Sequence, residues 1–226
     1  MSVYVTGDTH GPLDLDKIYN WEMTVSPNYD DVLIILGDWG AIWYNNSRDK
    51  KLIDYWDTKP YLVCFIDGNH DHHSAIATYD IIDFFGGRAH QITPNILHLM
   101  RGEVYNIQGK SIFTMGGATS IDKFWRTEGK DWWEEELPSM NEYENAHYNL
   151  EKYGYKIDYI LSHCTDTHTM AAINRHFESD HLNRFLFTLK SVFKLKYKHH
   201  YFGHYHIDSK IRRKETCLYQ KVVELK

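Results

Sequence analysis

Histidine, aspartate and asparagine gather at five places in this chain, and in each they follow directly on an apolar run. The densest reads C-F-I-D-G-N-H-D-H-H over residues 64–73 and contains Asn69 and His70. The others are T-G-D-T-H-G with Asp8 and His10, G-D-W-G with Asp38, S-H-C with His163, and G-H-Y-H with His204 and His206. Carboxylate, imidazole and amide oxygen without thiolate suit divalent ions such as Mn, Fe or Zn, and not iron–sulfur or copper(I) chemistry. D-x-H spacing in an extended segment lets one stretch of backbone offer two ligands, and the adjoining glycines leave room for close approach. A carboxylate such as Asp38 has two oxygens and can bridge two ions. Taken singly, any one of these stretches also fits a solvated loop or a proton-transfer site.

What decides between those readings is the set of elements that position the clusters. Short runs rich in Val, Ile, Tyr and Phe at residues 3–5, 32–36, 61–66, 112–115, 159–161 and 200–202 predict strands. Residues 13–23, 48–56, 75–84, 141–153 and 181–193 predict helices between them. Such alternation predicts an α/β architecture with much parallel pairing. Residues 95–118 read instead as three strands joined at Arg101-Gly102 and Gln108-Gly109, and residues 209–224 as strands joined by a turn. These hairpins predict a second sheet packed on the first. With no internal repeat, low-complexity tract or Pro/Ser-rich linker, a single domain over 1–226 is expected. Ligands of open α/β sheets bind beyond the carboxyl ends of the strands. Parallel strands would therefore bring all five clusters to one edge, as an assembled metal site.

In this order the five blocks resemble the calcineurin-like metallophosphoesterase superfamily, whose pattern runs D-x-H, G-D, G-N-H-[DE], H, G-H-x-H. Here Asp8/His10, Gly37/Asp38, Gly68–Asp71, His163 and Gly203–His206 meet it. The resemblance implies a metallo-dependent phosphatase fold, a four-layer αββα sandwich of two mixed β-sheets flanked by helices. It implies that Asp8, His10, Asp38 and His206 hold one divalent ion. Asp38 would bridge to a second, held by Asn69, His163 and His204. Manganese is the first expectation, with Fe, Zn, Ni or Mg as alternatives. The implied reaction is phosphoester hydrolysis by a hydroxide shared between the ions, with Asp38 and His70 catalytic and His70 facing the leaving group.

The chain also departs from part of that superfamily. Protein Ser/Thr phosphatases continue the second block as G-D-x-x-D-R-G, whereas this chain has G-D-W-G-A-I-W. The second aspartate, which orients the catalytic histidine there, and the phosphate-gripping arginine are both missing, so protein phosphatase activity is disfavoured. Trp39, Trp43 and Tyr44 take that space, either to stack on a substrate or to fill the core. A loop after Ala118 is too long for a plain connection. Its Asp122, Arg126 and Trp132 are candidates to shape a substrate pocket. Arg126 would either grip phosphate or pair with Glu128 or the 134–136 glutamates. Ser139 and Glu142 read as a capping box. His72, His73, His199 and His200 are expected to support the site or face solvent, Cys164 to pack as a small buried residue, and Asp67 and Asp71 to brace the turn or the metal shell.

Composition narrows the partners. The net charge of −6 with scattered Lys and Arg disfavours long nucleic acid. Fifteen histidines are many, and imidazole is the commonest metal ligand. Three well-separated cysteines without C-x-x-C, and an N-terminus lacking a charged, apolar leader, lead to the expectation of a reduced, cytoplasmic protein with no membrane segment. A small phosphoester or nucleotide is the expected substrate, with phosphodiester hydrolysis favoured. The alternatives are a phosphomonoesterase, a nuclease acting on nucleic-acid ends, and a non-catalytic interaction module on the same fold.

Overall fold

The computed structural model describes residues 2–226. Its first half carries strands β1 (Val3–Thr6), β2 (Val32–Leu36), β3 (Leu62–Ile66), β4 (Ile81–Phe84), β5 (Gly87–Thr93), β6 (Ile96–Leu99), β7 (Val104–Ile107) and β8 (Lys110–Met115). Helices α1 (Asp16–Val25), α2 (Ser47–Asp57) and α3 (His73–Ile76) are interleaved with them. Then follow α4 (Met140–Lys152), β9 (Tyr159–Ser162), α5 (Thr167–Ile173), α6 (His181–Ser191) and β10 (His199–Phe202). Strands β11 (Ser209–Arg212), β12 (Glu215–Cys217) and β13 (Val222–Glu224) close the chain.

Two mixed sheets result. The first has the order β13-β1-β2-β3-β6-β5-β4, the second β11-β12-β10-β9-β8-β7. Strands β1, β2 and β3 run parallel in register Val3–Val32–Leu62, so their carboxyl ends finish side by side. Strands β8, β9 and β10 do the same in the second sheet. The inner faces meet in a core that includes Val5, Ile34, Cys64, Leu97, Tyr105, Ile112 and Leu161. On the outer face of the first sheet, Ile18, Trp21 and Trp56 of α1 and α2 cover Leu33, Ile35 and Phe65. On the outer face of the second, Ala146, Leu150, Leu182, Leu186 and Leu189 of α4 and α6 cover Phe113 and Ile160. Helix, sheet, sheet, helix is the αββα sandwich that the resemblance implied, and its second sheet is the one the hairpins predicted. Strand β2 is buried at all five positions, which is why its sequence, VLIIL, shows no polar alternation.

Two local expectations need correction. The run 75–84 is not one helix: α3 stops at Ile76, and Ile81–Phe84 is an edge strand paired antiparallel to β5 across a Phe85-Gly86 turn. Both turn residues have positive φ, 45° and 91°, the geometry of a tight hairpin. The three strands of 95–118 are present but divided. Strand β6 pairs with β3 in the first sheet, while the β7–β8 hairpin belongs to the second, so the chain crosses between sheets at Arg101-Gly102.

Candidate metal centre

Asp8 and His10 follow β1, Asp38 follows β2, Asn69 and His70 follow β3, His163 follows β9, and His204 and His206 follow β10. Because the strands of each sheet are parallel there, these side chains meet at one end of the sandwich. His10, Asp38, His204 and His206 all have positive φ, between 46° and 67°. Left-handed backbone at non-glycine residues costs about 1–3 kcal/mol each and persists where the surroundings enforce it. Two glycines are required by crowding. A Cβ on Gly68 would stand 2.1 Å from Asp38 Oδ1, and one on Gly203 would stand 2.2 Å from Asp8 Oδ1.

The donor atoms fall into two overlapping groups, Asp8/His10/His206 and Asp8/Asp38/His163, each within 4.8 Å. Asp38 faces both sides: Oδ2 lies 3.5 Å from His10 Nε2, and Oδ1 lies 3.3 Å from His163 Nε2. His163 Nε2 is also 3.2 Å from Asn69 Oδ1. His204 joins through its main-chain N–H, which donates to Asp8 Oδ1 at 3.0 Å, and through its ring, 5.0 Å from that of His163.

The hydrogen bonds around this cluster leave its donors turned inward. His10 Nδ1 is 2.8 Å from Asp14 Oδ2, and His163 Nδ1 donates to the Leu36 carbonyl at 2.7 Å. Each ring therefore directs Nε2 at carboxylate oxygens, an arrangement that needs a cation or a proton between them. Asp8 Oδ2 is fully buried and makes no hydrogen bond, although His206 Nε2 is 3.0 Å away. Burial alone would push the His10 and His163 rings down. The charge of Asp38 and its hydrogen bonds instead raise them to about 9 and about 10. Burial likewise opposes ionisation of Asp38, yet His163 beside it holds its carboxyl well below the usual range. His204, pushed down to about 4 by burial and by the neighbouring His163, stays neutral. Anionic oxygens, neutral or proton-sharing imidazoles and an orphaned buried oxygen together fit a pair of divalent cations.

Behind the donors lies a bracing layer. Asp71 accepts from the N–H groups of Gly40 and Gly68 at 2.8 Å each and so ties the β2 loop to the β3 loop. Asp67 binds Arg101 through Nε (2.8 Å) and Nη2 (2.5 Å) and also receives His98 at 3.0 Å. Tyr219 stacks on His206 at 4.8 Å and donates to Asp14 at 2.9 Å. Among the histidines outside the blocks, His73 is 3.4 Å from Asp67, His72 caps α3, and His199 meets Thr216 at 2.8 Å. His200 belongs to a separate buried cluster with Asp166 and Glu215. There Lys190 Nζ occupies the centre, 2.7–2.9 Å from all three side chains. Cys164 is buried, and burial pushes its thiol well up.

Two cavities, of about 780 and 790 Å³, meet at His70 and Arg126, which line both. The larger exposes Asp38, Asn69, His204 and His206, and Asp122 stands on its wall. The smaller is walled by Trp43, Tyr44 and the first turns of α2. Arg126 pairs with neither Glu128 nor the 134–136 glutamates. Its Nε and Nη2 each lie 2.8 Å from the Asp122 carboxylate, and Nη2 lies 3.4 Å from His70 Nε2. His70, half-buried and faced by that guanidinium, is pushed below the ordinary imidazole value by desolvation. Two of the aromatic candidates sit elsewhere. Trp39 is fully buried and stacks on Phe65 at 4.3 Å, because the β2 loop turns its ring back onto the sheet. Trp132 lines neither cavity; it closes its own loop, accepting from the Gly129 N–H at 2.8 Å and lying under Lys123. Trp43 does line a cavity, its ring 5.6 Å from that of His70.

Asp14, Tyr219 and Asp122 were not legible as partners of His10, His206 and Arg126. The only sequence signal was the i, i+4 spacing of His10–Asp14 and Asp122–Arg126. No helix among the described residues is long and apolar enough to cross a membrane. A comparison with curated proteins finds no match. A family model does match: the description "Calcineurin-like phosphoesterase" aligns with residues 1–208, which contain every donor of the cluster. With metal-binding groups gathered where that family's blocks fall, the chain belongs to the calcineurin-like phosphoesterases and is a metal-dependent phosphoesterase.

Proposed function

We propose that the protein hydrolyses a phosphodiester, or a nucleotide-linked phosphoester, at a dinuclear centre. Asp8, His10 and His206 would hold one ion, Asn69, His163 and His204 the other, and Asp38 would serve both, since its two oxygens face opposite sides. Manganese is the first assignment for an oxygen- and nitrogen-rich set without thiolate. Ions bound there would acidify water and neutralise phosphate charge. The chain's own residues supply the rest. Asp122 holds the Nε–Nη2 edge of Arg126 and the Asp131 carbonyl accepts from Nη1 at 3.0 Å, so the guanidinium would reach a non-bridging phosphate oxygen through its remaining N–H groups. His70 stands where the leaving oxygen would emerge. As the water oxygen bonds to phosphorus and the water gives up a proton, the P–O bond to the leaving group breaks; His70, once it has taken up a proton at Nε2, would supply the one that the leaving oxygen takes. That nitrogen now faces Arg126, so phosphate binding must first draw the guanidinium away.

The observation that carries a diester over a monoester is the pair of cavities meeting at His70 and Arg126, which offers room for a substituent on each side of phosphorus. A monoester would need only one. The complete donor set disfavours a non-catalytic module, and the net charge of −6 disfavours a nuclease for long nucleic acid. Three buried free thiols support a reducing, cytoplasmic setting. The test is hydrolysis of bis-p-nitrophenyl phosphate and p-nitrophenyl phosphate side by side, with Mn²⁺ and with chelator, and with Asp38→Ala as control. Metal-dependent turnover that favours the diester and disappears in Asp38→Ala is expected. A preference for the monoester would overturn the diester reading.

A further inference from the structure

The smaller cavity, which the donor His10 borders, is built differently from the one onto which Asp38, Asn69, His204 and His206 open. Its walls are mostly apolar, with Leu13 and Leu52 beside Trp43 and Tyr44, and two cations, Arg48 and Lys51, stand on it. Trp43 is fixed by an edge-to-face contact with Trp133 at 4.7 Å, and the Arg48 guanidinium lies over the Tyr44 ring at 5.1 Å. Neither Arg48 nor Lys51 has an ion-pair partner among the described residues, whereas Arg126 is held by Asp122. Asp49, 4 % exposed, accepts from the Trp43 and Asn45 N–H groups through Oδ2. Its Oδ1 is buried and has no hydrogen-bond partner, and Asp49 is among the residues lining this cavity. Buried acceptors are rarely left unpaired. A ligand that suits the aromatic and cationic lining has a flat aromatic body and an anionic group.

We propose that this cavity is the leaving-group subsite and that it takes a nucleotide: a base against Trp43 and Tyr44, and a further phosphate at Arg48 and Lys51. The larger cavity places phosphorus over Asp38 and Asn69. The group that departs past His70 then enters the other cavity, which His70 also lines. The substrate class that follows is a short nucleotide diester whose leaving nucleoside bears a second phosphate. This rests on the reading of the centre as the site of phosphoester hydrolysis.

The test is calorimetric binding to the full-length protein, with adenosine 3′,5′-bisphosphate, AMP and ribose 5-phosphate as probes. The bisphosphate is expected to bind about tenfold or more tighter than ribose 5-phosphate, the scale of one base–aromatic stack. Tyr44→Ala should remove most of that preference, and Arg48→Ala should erase the advantage of the bisphosphate over AMP. Unchanged thermal melts would show that both variants, altered at exposed positions, remain folded. Equal binding of base-bearing and base-free probes, binding of none of them, or full retention by Tyr44→Ala would overturn the subsite. Hydrolysis of bis-p-nitrophenyl phosphate is read separately. Turnover without nucleotide preference refutes the subsite alone, and nucleotide preference without any metal-dependent turnover refutes only the assignment of the centre.

Discussion

Replacing Gly68 by alanine tests the centre without touching a donor. The added Cβ would lie 2.1 Å from Asp38 Oδ1, 2.4 Å from the Asp38 main-chain N and 2.8 Å from His163 Nε2, so both the carboxylate and the backbone that carries it must shift. Ordinary contact begins at 3.4 Å, so the Asp38 oxygen would have to retreat by about 1.3 Å. That oxygen also receives the His70 N–H at 2.6 Å and faces His163 at 3.3 Å, and both relations would be lost with it. Metal–ligand distances tolerate about 0.2 Å, and a displacement of about 1 Å near reacting atoms can cost on the order of 100-fold in rate. Gly68→Ala should therefore weaken Mn²⁺ binding and lower kcat/KM by about 100-fold or more, equivalent to about 2.7 kcal/mol of transition-state stabilisation. Overpacking of this kind destabilises by about 1–3 kcal/mol, occasionally more, and the rate is read on a variant whose melt shows it folded. Mn²⁺ calorimetry, steady-state hydrolysis and thermal melting in chelator would be measured on the same preparation. A variant with wild-type Mn²⁺ affinity and kcat/KM within about threefold would show that Asp38 is not confined as described.

Three other outcomes are expected. His70→Ala should slow hydrolysis of a diester with a poor alkyl leaving group by about 10²-fold or more, and that of a p-nitrophenyl ester much less; equal loss for both would remove proton donation as its role. Arg101→Ala leaves the buried Asp67 carboxylate with only His98 and His73 beside it, and denaturant titration should show a loss of about 3 kcal/mol, the low end for a broken buried pair. A loss below about 1 kcal/mol would mean that the pair does not hold the two sheets' loops together. Finally, burial, reinforced by neighbouring charge, holds His90 down to about 4 and His200 well below its ordinary value. Their contribution is complete above pH 6.5 and is lost as pH falls below it, because the unfolded chain then takes up protons that these rings refuse. The slope is at most about 1.4 kcal/mol per pH unit for each ring; a His90→Gln variant that loses as much stability between pH 7 and pH 5 as the unaltered protein would contradict it.

The donor cluster was legible because each block is local: an apolar strand, in four of the five a glycine, and then the chemistry-bearing residue, as in IDGNH or FGHYH. Parallel pairing then does the assembling, and the alternation of strand and helix announces it. What the pattern concealed depends on contacts distant along the chain. Trp39 and Trp43 look alike four residues apart, yet one turns back onto Phe65 and the other faces His70. Only the left-handed turn at Asp38 and Gly40, with φ of 49° and 67°, separates their directions. The apolar pairs of residues 81–85 fit helical spacing as readily as an edge strand, and the positive-φ Phe85-Gly86 turn decides for the strand. Arg126 reaches His70 across 56 positions of sequence, a contact that no spacing rule anticipates.

Lys190 gives the molecule an uneven relation to its surroundings. The Asp166/His200/Glu215 cluster has donors of the same kind as the centre at the strand ends, but its counter-charge is covalently attached and cannot diffuse away. The interface between α6 and the second sheet is thus independent of the ion supply, while turnover depends on it. A fall in free divalent ion would silence the protein and leave that half of its scaffold intact. Activity could then return as soon as ions do, with no new synthesis and no refolding of that half.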